Sequence, residues 1–124
     1  MWHRIGAVCY VIWGLLHVNA AYMQYQFGSG LEAGMAQGRV IQNSWHLLFF
    51  GVLAIIVGAL RNWNNSRSGY WINVINLSVV DVGFILFVLL PYLSIMSAAI
   101  LGPAFWVLAV LFSTIGYLKE ERTP

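Results

Sequence analysis

Charge is what this sequence has least of. Six Lys or Arg and four Asp or Glu in 124 residues make 8% of the chain, where a soluble domain carries about 25% charged residues. So little charge excludes a water-covered globule. The net charge of +2, spread along the chain, also argues against a nucleic-acid partner. Cys9, the lone cysteine, excludes an internal disulfide and suits a small packing residue in an apolar helix. Neither HExxH nor CxxC occurs, and no glycine-rich phosphate loop or nucleophile elbow is present, which disfavours a soluble-type hydrolase.

What is abundant is apolar length. Hydrophobic residues make 60% of the chain and mean hydropathy is +0.77. A spanning helix needs about 20 apolar residues. Four stretches qualify, and they predict transmembrane helices over about Ile5–Phe27, Ser44–Leu60, Tyr70–Leu90 and Ile100–Leu118. The runs are continuous, as in Val52–Leu60, rather than alternating as barrel strands would be. Arg4 before the first run and Val18-Asn19-Ala20 within it mimic a secretory signal, but the run is longer than a signal core. The expectation is an all-α membrane protein, a single four-helix transmembrane bundle.

Four spans put both termini and the middle loop on one side, with Arg4, Arg61, Arg67, Lys119 and Arg122; the other side has only Arg39. The positive-inside rule makes the richer side, and so both termini, cytoplasmic. Trp2, Trp63, Tyr70, Trp71 and Tyr117 fall at the cytoplasmic ends, and Tyr22, Tyr25, Trp45 and Tyr92 at the outer ends, as aromatic belts do. Asn64-Asn65-Ser66 is a glycosylation sequon that has no meaning on a cytoplasmic loop. The outer segment Gly28–Asn43 (GSGLEAGMAQGRVIQN) reads as a glycine-rich connector.

Polar groups are costly in hydrocarbon, so each intramembrane one is a candidate that faces the bundle interior. These are His17 and Asn19 in the first helix, His46 entering the second, and Asn73, Asn76 and Asp81 in the third. Gly6, Tyr10, Gly14, His17, Ala21 and Gln24 form one small and polar helical stripe, expected inward, with Val8, Val11 and Leu15 outward. His17 lies about 20 Å along from Arg4, in the outer half. His17, His46, Asp81, Tyr22 and Gln24 could line an outward-opening cavity, with Tyr10, Asn19 and Trp106 as further pocket residues; His46 is alternatively an interfacial histidine with water access. Asp81 is either a structural carboxylate or an acid, base or proton carrier; His17 is either an interhelical bonding partner or a metal or heme ligand or proton partner of Asp81. Trp13 and Trp106 read as packing bulk or pocket wall.

The segments GYWINVINLSVVDVGFILFVLLP and LGPAFWVLAVLFSTIGYL resemble a family of small bacterial four-helix membrane proteins of uncharacterised activity, which implies a multi-pass protein of the bacterial cell membrane. More remotely, the layout resembles styrene oxide isomerases, four-helix oligomers that bind heme b and rearrange epoxides with the heme iron as Lewis acid. Their third helix has an Asp and a Gly-Phe pair similar to Asp81, Gly83 and Phe84. That resemblance implies an isomerase, with Asp81 and His17 as catalytic candidates and His46, nearest to the family's heme-ligating position, and His17 as candidate cofactor ligands. The family's catalytic Tyr falls on Leu89 here, and if Arg39 matches the family's Arg, the ligand position moves to Ile41.

Three functions follow as expectations: a site for a lipophilic small molecule with or without heme, a non-catalytic assembly subunit of a larger membrane complex, and a small proton-coupled exporter using Asp81. The expected partners are the lipid bilayer, a lipophilic small molecule and further copies of the chain, associating through faces that include Gly51 and Gly58.

Overall fold

The structure, a computed structural model, describes residues 1–92 and 97–124. It is all-helical, with four helices long and apolar enough to cross a membrane. These are α1 (Trp2–Ser29), α2 (Met35–Leu60), α3 (Arg67–Tyr92) and α4 (Leu101–Lys119). A 3-10 turn at Asn62–Asn64 links α2 to α3, and another at Ser97–Ile100 leads into α4. Around the bundle, α1 packs on α2 and α4, and α3 closes the ring by packing on the same two.

The segment expected as a glycine-rich connector is shorter than its composition implies, because α2 starts at Met35. Met35, Ala36, Gln37, Arg39 and Gln42 are good helix formers. The Arg39 guanidinium also donates to the Gln42 side-chain oxygen at 3.1 Å, one turn on.

Of the stripe predicted to face inward on α1, Gly6, Tyr10, Gly14 and Ala21 are buried and His17 and Gln24 half-buried; of the side predicted outward, Val8 and Leu15 are exposed and Val11 is half-buried. Its glycines let backbones touch. A Cβ on Gly14 would lie 2.6 Å from the Gly51 carbonyl oxygen of α2, and one on Gly6 would lie 2.7 Å from the Ser113 nitrogen of α4. Small residues permit this approach, and the dispersion contact it creates holds helices together where no hydrophobic effect operates. Gly51 and Gly58, expected to serve self-association, are instead buried against α1 of the same chain.

Polar contacts tie the helix ends where both termini meet. Glu120 accepts from the N-terminal amine, from the Trp2 and His3 backbone N–H groups at 3.0 and 3.1 Å, and pairs with the His3 ring. Asn65, in the left-handed region at φ 51°, donates its side-chain amide to the carbonyls of Gly116 and Glu121. Asn is one of the few non-glycine residues that adopts this conformation readily. Arg4 sits over the Trp63 ring and Arg122 over Tyr117, so the cations gather at this end.

Candidate functional site: a carboxylate and an imidazole beside Gly102

Asp81 is fully buried on α3. One carboxylate oxygen, Oδ2, accepts the indole N–H of Trp13 from α1 at 2.6 Å. The other, Oδ1, has no hydrogen-bond partner among the described residues. An orphaned charged acceptor in a buried site forfeits a full solvation shell, so its surroundings carry information about what belongs there.

Those surroundings are His17 and Gly102. The His17 ring stacks on Trp13 with centroids 3.7 Å apart and planes 20° apart, as residues one turn apart on a helix can. Its Nδ1 bonds the Trp13 carbonyl oxygen at 2.9 Å. This leaves Nε2 directed elsewhere. A Cβ placed on Gly102, in the first turn of α4, would lie 3.2 Å from His17 Cε1, 3.7 Å from Nε2 and 3.8 Å from Asp81 Oδ1. The unpartnered oxygen and the second imidazole nitrogen therefore both border the spot that a side chain on residue 102 would occupy. The depths agree: at about 1.5 Å per residue, Asp81 is about 21 Å from the start of α3 and His17 about 22 Å from the start of α1.

Of the expected pocket residues, two more flank this space toward the termini. Trp106 is half-buried one turn after Gly102, and its indole N–H donates to Ser78 Oγ at 3.1 Å; Ser78 is itself one turn before Asp81. Tyr10 is fully buried further along, its hydroxyl 2.9 Å from Ser113 Oγ. Gln24 is half-buried about two turns beyond His17 on the opposite side of the space.

The rest do not join. His46 is exposed, because the face of α2 turned to α1 carries Gly51, Ala54 and Gly58, and five residues of helix rotate His46 about 140° from Gly51. The same rotation takes Tyr22 about 140° away from His17; it is exposed and accepts from Gln26. Asn19 is exposed and bonds Met23 along its own helix. Asn73 and Asn76, one turn apart and expected to bond between helices rather than to a ligand, donate to the α2 carbonyls of Ala54 and Phe50, at 3.3 and 3.2 Å.

Of the two residues that complete the site, sequence reasoning named Trp13 only as packing bulk or pocket wall and missed Gly102. Trp13 lies one turn before His17 on the same face, a spacing that pointed to it; its bulk suggested packing instead. Gly102 gave no signal beyond preceding Pro103, which suits the first turn of a helix.

The arrangement does not fit heme at His17. One face of the ring is covered by Trp13, and Nε2 lies against the first turn of α4, 3.7 Å from where a Gly102 Cβ would stand. Among the described residues, no group of three His, Cys, Asp or Glu side chains is placed to hold a metal ion.

Comparisons with protein-family models, with curated proteins and with solved structures find no match to this chain.

Proposed function

We propose that this is a multi-pass protein of the bacterial cell membrane, with both termini cytoplasmic, which holds a lipophilic small molecule by a polar group docked between Asp81 and His17. The orientation rests on the cations gathered at the terminal end, against Arg39 alone at the other. The ligand site rests on one observation: a fully buried carboxylate oxygen without a partner among the described residues lies, with the Nε2 of an imidazole whose Nδ1 is engaged, beside the position of a Gly102 side chain.

A purely structural Asp81 accounts for less. The Trp13 bond anchors one oxygen; the other, like Oδ1 of Asn73 and Asn76, lacks a partner among the described residues, and of the three it alone belongs to a carboxylate, whose buried charge stabilises only when its remaining lone pairs are met. A bound polar group meets them.

The test is mass spectrometry of lipid and small-molecule extracts from protein purified in lipid nanodiscs, comparing wild type with Asp81→Asn. A compound retained by wild type and lost from the variant, with both equally folded, supports the site. Identical extracts, with a larger protein copurifying with both, refute it in favour of an assembly subunit.

A further inference from the structure

The donor inventory narrows what the site takes. A backbone carbonyl oxygen only accepts, so the bond between His17 Nδ1 and the Trp13 carbonyl fixes the ring hydrogen on Nδ1. In the neutral ring, Nε2 is then a bare lone pair. When ionised, as a cation beside it would keep it, Asp81 offers Oδ1 as an acceptor as well, its other oxygen already taking the Trp13 N–H. The oxygen without a partner among the described residues and the Nε2 that lies with it beside Gly102 are then both acceptors, and one belongs to a carboxylate.

We infer that the polar group held at this site is a protonated primary amine, which can donate one N–H to Asp81 Oδ1 and a second to His17 Nε2, its aliphatic tail lying among apolar side chains. This inference rests on the reading of Asp81 and His17 as a ligand site. An ether, epoxide or carbonyl oxygen brings only acceptors and leaves both groups unmet. An alcohol brings one donor and meets one of them. A quaternary ammonium has the charge but no N–H. An ammonium head satisfies both acceptors and balances the carboxylate, and charge-assisted bonds of this kind are roughly twice as strong as neutral ones.

The experiment uses the full chain in phosphatidylcholine nanodiscs and three probes of equal tail: hexylammonium, hexyltrimethylammonium and hexanol. Binding is followed by equilibrium dialysis and by the 15N resonances of the His17 ring. Hexylammonium should bind saturably, about tenfold or more tighter than either analogue, a gap set by one charge-assisted hydrogen bond. It should also shift the Nε2 resonance, while Nδ1 keeps the signature of a protonated nitrogen. Asp81→Asn and Gly102→Ala should each weaken it about tenfold, the first by removing charge, the second by placing a methyl group 3.2 Å from His17 Cε1. The 15N readout needs no variant, so it stands even if a substitution unfolds the chain. Hexanol binding as tightly as hexylammonium, and lost in Asp81→Asn, would overturn the amine while keeping the ligand site. If no probe shifts Nε2 and none responds to either substitution, the space holds water alone and the site reading falls as well.

Discussion

Removing the indole N–H of Trp13 tests whether Asp81 is held as the structure places it. Trp13→Phe keeps an aromatic ring in the core but deletes the donor that meets Asp81 Oδ2 at 2.6 Å. Since Oδ1 already lacks a partner among the described residues, the variant leaves a buried carboxylate with neither oxygen bonded. A hydrogen bond to a charged group contributes about 1.5–3 kcal/mol, and the smaller ring adds a cavity term. The two contributions separate in a double-mutant cycle with Asp81→Leu. The cavity term appears in both backgrounds, whereas the bond is lost only where the carboxylate exists, so the coupling energy should be at least about 1.5–3 kcal/mol. In the Asp81→Leu background the indole N–H becomes the group without a partner, and Trp13→Phe should there cost little or even stabilise. The assay is reversible unfolding in mixed micelles, titrated with a denaturing detergent and followed by circular dichroism. An equal cost of Trp13→Phe in both backgrounds would show that the indole contributes only bulk.

Two further predictions concern the scaffold. Gly14→Ala would put a methyl group 2.6 Å from the Gly51 carbonyl oxygen and should destabilise by about 1–3 kcal/mol through overpacking, whereas Gly38→Ala, with nothing among the described residues within 4 Å of its Cβ, should stabilise by about 0.5–1 kcal/mol from helix propensity; the same detergent titration reads both, and equal effects would refute close contact at Gly14. At the terminal end, the N-terminal amine beside Glu120 holds its carboxyl down at about 2, with the His3 contacts adding to the effect. A carboxyl depressed in the folded state contributes stability above its ordinary value near 4.5 and loses it as pH falls toward about 2. Wild type should therefore exceed Glu120→Gln in stability at pH 7, and the gap should shrink through that acid window; a gap independent of pH would refute the contact.

Apolar run length made four helices legible, because a bilayer leaves only one backbone solution for such runs. The stripe Gly6, Tyr10, Gly14 and Ala21 was legible for a related reason: small residues on one face mark where backbones meet. The start of α2 was not, since Gly34 and Gly38 look like connector residues until the helix formers between and after them are weighed. His46 misled because its position near a membrane boundary says nothing about rotation, and rotation is set by Gly51, Ala54 and Gly58 further along the helix. Asp81 and His17 were legible as candidates from the cost of polar groups in hydrocarbon. The space between them was not, because it depends on a missing side chain at Gly102, on another helix, and absence of a side chain has no chemical signature in a sequence.

The two ways these helices are joined bear on where the site can change. Helix α1 meets α2 and α4 backbone to backbone at Gly14 and Gly6, contacts that break if either helix shifts by a fraction of an ångström. Helix α3 is attached differently, through side-chain bonds: Asn73 and Asn76 to α2, Asp81 to Trp13 on α1, and Ser78 and Tyr70 to Trp106 and Thr114 on α4. Interhelical hydrogen bonds in membranes are worth only about 0.6–2 kcal/mol each, and side chains reorient more easily than backbones slide. Just beyond Asp81, a π-helical turn at Ile85–Leu89 also widens α3, a feature that recurs beside functional sites. Asp81 thus sits on the helix with the most adjustable position, facing an imidazole on the helix with the least. A ligand that bridges the two joins α3 to the rigid part of the bundle, so occupancy of the site should be read first in the position of α3, as slower amide exchange over residues 67–84 than in the ligand-free protein.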